Sequence, residues 1–315
     1  DVKKKRVRTL INLGEEKLTE AATKMVGKTS SVLFERNYLK IYEKSFAKVS
    51  FSREVINGVR MSSSLEYADR KPLFNTTDYV MFPKSGVNYT SNNPQNPANF
   101  TTAFTPHKMW SFTLGTTINF DQKYLSYPNG KYNVSSNKYP SLFIGYKKSF
   151  GSGNSEWNSD VVYSQLTQTI ALSNWGEFKY KAKGGLFLEK KDIPFIDYAH
   201  FNGNRLLIAP NDNYLNNFYM LPYYQLSTND KYGELHGEYN FKGALLSKVP
   251  LLNKLNFHLV TGAKGFFTAD NKPYTEVAVG LDNIGFGKWR FLRVDFARSN
   301  FNGKNENRVL FGIKL

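Results

Sequence analysis

The chain contains no cysteine in 315 residues. A disulfide framework, thiolate metal sites and a cysteine nucleophile are therefore excluded. It also lacks any run of about 18 uninterrupted apolar residues, the length a transmembrane helix requires. Carboxylates are scarce: 26 Asp and Glu stand against 42 Lys and Arg, for a net charge of +16. Such a charge is the usual mark of nucleic-acid binding, but the lysines are spread along the whole chain instead of clustering on one helix or patch. Histidine is rare as well. His107, His200, His236 and His258 are the four, none in a nucleophile elbow and none in an HExxH zinc motif. Side-chain catalysis by an activated nucleophile has no carrier in this pattern, so the chain reads as non-enzymatic, with no catalytic residue, cofactor or metal site expected.

What is present is alternation. In the terminal run RVLFGIKL, Val309, Phe311, Ile313 and Leu315 share one side of a strand, and Arg308, Leu310, Gly312 and Lys314 the other. Period-2 alternation is the pattern of a sheet with one dry and one wet face. It recurs upstream: Ala47, Val49 and Phe51 against Lys48, Ser50 and Ser52; Val59, Met61, Leu65 and Tyr67 against Arg60, Ser62, Ser64 and Glu66; Phe178, Tyr180, Ala182, Leu186 and Leu188 against Lys179, Lys181 and Lys183. Aromatics make up 16 % of the chain, with 25 Phe and 20 Tyr. Alternating segments of about ten residues, aromatic-rich and separated by turns, are the signature of a transmembrane β-barrel. The fold expected is all-β, an antiparallel transmembrane β-barrel with at least twelve strands in this chain, and about 16 if an N-terminal part is missing. A soluble sandwich with many core aromatics is the competing reading.

Two regions follow, 1–42 and 43–315. The first is basic (Lys3, Lys4, Lys5, Arg6, Arg8) and partly irregular, with a weak amphipathic helical pattern over 14–27 and room for a first strand. The second holds eleven strand-like segments: 43–55, 58–69, 107–120, 140–150, 157–172, 175–190, 232–243, 255–267, 273–283, 288–299 and 305–315. Bacterial single-chain barrels have an even number of strands, so at least one more is expected in 1–42 or before it. Counting back from Leu315 puts the irregular stretches 70–106 and 191–231 on the outside, and the tight turns Asn57-Gly58 and 173–174 on the periplasmic side, as barrel topology demands. The long connection 121–139 fits this parity poorly. No apolar leader follows Asp1; an exported protein needs one, so Asp1 is expected not to be the natural start.

The stretch from 198 onward resembles the C-terminal region of the outer-membrane insertase superfamily, the BamA, TamA and Sam-type barrels. HFNGNRLL corresponds to their inward-folded loop with its Gly and Arg, YGELHGEYNF to a Glu-containing strand, and FLRVDFARSNF to a strand carrying Arg293 and Asp295. A nearer resemblance is to a Bacteroidota family with a carboxypeptidase-regulatory-like sandwich ahead of a C-terminal barrel. It rests on ERNYLKIYEKSF, YADRKPLFNTTDY, DQKYLSYPNGK, DYAHFNGN, FYMLPYYQLSTND and NFKGALLSKVPLLNKLN, spanning about 35–315; the sandwich itself is absent. The insertase likeness implies a lumen-loop lock through Gly203 and Arg205. Two departures weaken it: Leu206 follows Arg205 where a Gly is usual, and LNFHLVTGAKGFF lacks the carboxylate that normally receives the Arg. Glu234 or Glu238 on the polar face of 232–243 could substitute; the competing reading leaves Arg205 an ordinary solvated loop residue.

The function expected from this is a non-enzymatic outer-membrane barrel of a Gram-negative bacterium, a structural or accessory component of an envelope assembly or export complex. Its expected partners are outer-membrane lipid including lipopolysaccharide, and proteins of a multi-subunit envelope complex, with no nucleic acid. The apolar connection GALLSKVPLLNKL, with Lys248 and Lys254, suits a turn lying in a membrane interface or docking a periplasmic partner. The alternative is a passive or gated pore whose basic lumen favours anions through Lys179, Lys181 and Lys183, with Arg293 and Asp295 as further lumen charges.

Overall fold

A computed structural model describes residues 7–19, 40–74, 90–96, 98, 101–134, 138–189, 191–204, 208–210, 214–250 and 252–313. Its strands are β1 (Val7–Thr19), β2 (Ile41–Ile56), β3 (Val59–Pro72), β4 (His107–Asn119), β5 (Lys123–Tyr127), β6 (Gly130–Val134), β7 (Ser141–Phe150), β8 (Ser159–Ala171), β9 (Glu177–Phe187), β10 (Ile208–Pro210), β11 (Lys231–Asn240), β12 (His258–Thr268), β13 (Tyr274–Phe286), β14 (Trp289–Phe301) and β15 (Lys304–Ile313). Among the described residues there is no α-helix, only short 3-10 turns.

Thirteen strands form one sheet in the order β1-β2-β3-β4-β7-β8-β9-β11-β12-β13-β14-β15-β10. Twelve of them make an uninterrupted antiparallel meander, each strand paired with the next long strand in the chain. The thirteenth, β10, arises in the β9–β11 connection yet pairs parallel with β15, Ile208 opposite Phe311 and Pro210 opposite Ile313. A short strand from mid-chain thus sits on the outer edge of the last one. The sheet ends at β1 on one side and β10 on the other. β5 and β6 form a separate hairpin inside the β4–β7 connection, which accounts for the length of 121–139.

The weak helical pattern over 14–27 is overturned where it is described. Residues through Thr19 are strand, paired with β2 along the whole of β1, from Val7 opposite Arg53 to Thr19 opposite Ile41. A waiting strand edge satisfies the backbone polar groups of β1, and tertiary context of this kind routinely outweighs weak helix propensity. Residues 20–27 lie outside the described residues, as does Leu315. The loop placed at 70–106 begins slightly later, because β3 runs to Pro72, a residue tolerated at a strand end because it cannot donate to the ladder. Asn57-Gly58 is the tight turn its sequence announces; Gly58 has φ +79°, and a Cβ there would overlap the Asn119 carbonyl oxygen.

Register fixes the two faces. On one lie Val49, Phe51, Leu65, Trp110, Leu114, Ile144, Val162, Leu186, Leu235, Phe267, Val277, Val279, Phe296, Val309 and Phe311, all exposed. On the other lie Lys44, Lys48, Glu66, Arg70, Ser111, Lys147, Lys183, Glu234, His236, Lys264, Glu276, Arg293 and Asp295, most of them buried. Val277 and Val279 are 55 % and 54 % exposed while Glu276, beside them in sequence, is 1 % exposed. This inverts the usual soluble arrangement of apolar residues inside and charge outside.

Candidate functional site

The charged face is covered because the β9–β11 connection folds back across it. Its two arms are joined at a neck by the Ala199–Thr228 bridge. Further in, Phe218 N–H donates to the Asn202 carbonyl at 2.7 Å and Asn204 N–H to the Leu221 carbonyl at 3.0 Å. Gly203 sits where the arms touch, and a Cβ on it would overlap the Leu221 carbonyl oxygen. The apolar core of the molecule forms between this inserted segment and the sheet. Phe201, Phe218, Leu221 and Leu226 pack against Phe266 and Tyr274. Tyr214, Tyr219 and Met220 pack against Ala278, Ala297 and Leu310. Each Leu or Phe fully buried here contributes about 1.5–3 kcal/mol. Small residues on the sheet make the room: a Cβ on Gly312 would overlap the Tyr214 hydroxyl, and one on Gly262 would crowd the Tyr219 hydroxyl.

A polar network then fixes the segment in register. The Glu276 carboxylate accepts three consecutive backbone N–H bonds, from Tyr219 at 2.6 Å, Met220 at 2.7 Å and Leu221 at 3.1 Å, and the Tyr274 hydroxyl at 2.6 Å. Charge-assisted bonds of this kind are about twice as strong as neutral ones. Lys264, directly opposite Glu276 in the β12–β13 ladder, donates to the Asn217 carbonyl at 2.5 Å and lies 3.4 Å from the Tyr219 ring centroid. Arg293 joins Asp295 through two bonds of 2.7 and 2.9 Å, meets Glu238 at 2.9 Å, and stacks 3.7 Å from the Tyr214 ring. A buried guanidinium is stable only with such partners on every side. From β15, Arg308 donates to the Asn204 carbonyl at 3.3 Å.

A second anchor holds the near end of the segment to the opposite half of the sheet. Arg70 of β3 bonds both Asp197 oxygens, at 2.9 and 2.8 Å, and Lys147 of β7 stands 3.9 Å away. Burial works against the Asp197 carboxylate, but Arg70 and Lys147 outweigh it and hold its carboxyl below the usual range. His200 lies at the neck, bonded to Ser227 Oγ at 2.7 Å and in edge-to-face contact with Phe195 and Tyr224. Burial lowers its pKa to about 4. One inserted segment therefore touches β3 and β7 on one side and β12 to β15 on the other. The sheet wraps around it.

Of the residues singled out from sequence, Gly203 lies in the inserted segment and Arg205 lies outside the described residues. Glu234 and Glu238 are on the covered face, but other groups occupy them. Glu234 binds Lys183 at 2.9 Å and His236 at 3.0 Å, and Glu238 meets Arg293. Lys181 bonds the Asn216 side chain, and Lys179 pairs with Glu177 at 2.8 Å. Arg293 and Asp295 pair with each other at the centre of the network. Sequence reasoning missed Glu276, Lys264 and Asp197. Glu276 stands on β13, opposite Lys264, and receives backbone amides. The available signal was a carboxylate on the covered side of the otherwise apolar YTEVAVG. His236 packs on Phe218, ring centroids 4.6 Å apart, and His107 Nδ1 contacts the Thr105 carbonyl. Among the described residues no three His, Cys, Asp or Glu side chains converge as metal ligands.

A meander sheet wrapped around its own inserted connection, with charge inside and apolar side chains outside, defines the class of protein. The family model described as "Family of unknown function (DUF5686) C-terminal domain" matches residues 15–281, and the chain belongs to that family. No curated protein matches the sequence.

Proposed function

We propose that the chain is a transmembrane β-barrel of a Gram-negative outer membrane, in which the twelve meander strands close as β1 meets the edge of β15 that precedes its short pairing with β10 at Phe311–Ile313. The β9–β11 connection fills its lumen, and it serves as a non-enzymatic structural or accessory component of an envelope assembly or export complex. The carrying observation is the inversion of polarity. A row of large apolar side chains runs around the outward face, while the apolar core lies inside, under the inserted segment. A soluble monomer rarely leaves so large a contiguous apolar surface in water, whereas a lipid-facing sheet requires it. One end of the sheet adds support. Trp175, Phe120, Phe286 and Trp289 are exposed at its turns, Phe286 and Trp289 by 85 % and 76 %, as an interfacial aromatic belt would be. Lys248 lies over the Trp175 ring at 5.1 Å. The barrel of the resembled Bacteroidota family, with lipopolysaccharide around it, is the expected setting.

The occupied lumen favours this role over an open anion pore, because Lys179, Lys181 and Lys183 are engaged by Glu177, Asn216 and Glu234. Membrane fractionation tests the reading: extraction only with detergent, and flotation with lipid vesicles after reconstitution. A stable monomer in detergent-free buffer would overturn it. Large anion-selective currents in planar bilayers would favour the pore instead.

A further inference from the structure

The covered face is not covered everywhere. Beside the Arg70–Asp197 anchor lies a cavity of about 250 Å³, lined by Tyr42, Lys44 and Lys48 of β2, Ser64, Glu66 and Arg70 of β3, Ser111 and Thr113 of β4, Lys147 of β7, and Ile196 and Asp197 of the inserted segment. Its lining is almost wholly polar. Four cations stand there against two carboxylates, a surplus of two positive charges in a half-open pocket.

The carboxylates do not satisfy the cations evenly. Glu66 holds Lys44 at 2.8 Å but leaves Lys48 at 3.7 Å. Asp197 gives both oxygens to Arg70 and leaves Lys147 at 3.9 Å. Two ammonium groups are thus beyond hydrogen-bond distance of the nearest carboxylate. Arg70 is 5 % exposed, and its buried Nε has no hydrogen-bond partner among the described residues. A buried donor of this kind is costly unless something accepts from it. Register sets hydroxyls beside the cations. Ser64, Thr113 and Lys147 are successive partners in one cross-strand row. Lys48, Glu66 and Ser111 form the adjacent row on the same face. Cross-strand neighbours on one face stand about 5 Å apart, so Ser64, Thr113 and Lys147 line one side of the cavity in sequence, and Lys48, two strands from Ser111, reaches it from the other wall.

We propose that this cavity binds a phosphate group, with Lys48 and Lys147 supplying charge and Ser64, Ser111 and Thr113 supplying hydroxyl donors. Lysine binds phosphate as a point charge, and a dianion matches the surplus of two. A carboxylate would neutralise half of that surplus. The chemistry does not depend on what surrounds the outside of the sheet, so it stands apart from the membrane reading.

The test is titration of the full chain in detergent with inorganic phosphate and, separately, with glycerol 3-phosphate, read by calorimetry at low ionic strength. Saturable binding is expected, weakening as salt is raised. Lys48→Gln and Lys147→Gln should each weaken it about tenfold, Thr113→Val by less, and Lys304→Gln, a surface change far from the cavity, not at all. Lys147→Gln removes one of the two cations beside Asp197 and should lower the unliganded thermal midpoint slightly, whereas Lys48→Gln, which leaves Glu66 paired with Lys44, should leave it unchanged; weaker binding in Lys48→Gln thus separates loss of the site from loss of the fold. Tighter binding of the monoester points to a phosphorylated molecule or lipid headgroup, and tighter binding of the inorganic ion to free phosphate; either supports the site. No saturable binding up to about 10 mM, or binding undiminished in the Lys48→Gln/Lys147→Gln double variant, overturns it.

Discussion

Glu276 is one side chain that decides where a whole inserted segment sits. Its carboxylate takes the backbone amides of Tyr219, Met220 and Leu221, and those residues carry the aromatic and aliphatic packing on either side. Truncation to Ala would strand three buried N–H groups and leave Lys264 without its opposite charge. A loss of about 3–5 kcal/mol is expected, measured as a lower urea midpoint, with new protease cleavage between 195 and 230. Glu276→Gln should fall between wild type and Ala, because it keeps the shape but loses the charge. Gly312 gives a second test. Gly312→Ala drives a methyl into the Tyr214 hydroxyl and should cost about 1–3 kcal/mol; adding Tyr214→Phe should recover part of that, and a double-mutant cycle would show the coupling. The sequence made the position of Gly312 legible through its alternation, and Arg293 and Asp295 through a resembled motif. It did not reveal that Glu276 binds main-chain amides, since backbone partners have no residue-type signature.

The inserted segment, as an element, is held at both ends and along one flank. Its neck depends on a neutral His200. The folded pKa of about 4 lies below the ordinary 6.5, so the unfolded or released neck binds a proton more readily. The neck's stability is therefore complete above about pH 6.5 and is lost as pH falls toward 4. Asp197, paired with Arg70 and held below the usual range, keeps its contribution until more acidic pH. Hydrogen exchange of the Ala199 and Thr228 amides should accelerate between pH 6.5 and 4 after correction for intrinsic rates, and His200→Gln should flatten that dependence. The element's boundaries, 191–231, were visible in sequence as a break in alternation. Its path was not: local pattern marks where a strand stops but says nothing of where the chain between strands is buried. The same limit explains β1, whose strand state is set by its partner β2 and not by its own weak helical periodicity.

For the whole molecule, the polarity inversion makes a prediction that no single contact supplies. Val279→Lys, on the outward face of β13, should cost about 2–4 kcal/mol in lipid if the residue lies at membrane mid-depth, and almost nothing if water surrounds it. Unfolding titrations in vesicles measure the difference. The meander, its strand count after residue 42 and the face each side chain takes were all legible from period-2 alternation, because register moves whole faces together. The wet face turned out to be largely dry, which alternation alone cannot show. The parallel pairing of β10 with β15 has a further consequence, for the order of events in folding. Ile208 meets Phe311 across about a hundred residues of chain, one of the longest loop closures in the fold and a slow one. The 195–230 segment is seated against both halves of the sheet, by Arg70 and Lys147 on one side and by β12 to β15 on the other. We expect docking of this segment onto β12 to β15 to precede its capture by the N-terminal half, which pulse-labelled hydrogen exchange of the Tyr219 to Leu221 amides against the Asp197 anchor would show. β15, made about a hundred residues later, completes the seat for a segment made earlier, so docking of that segment waits for the final strand of the meander.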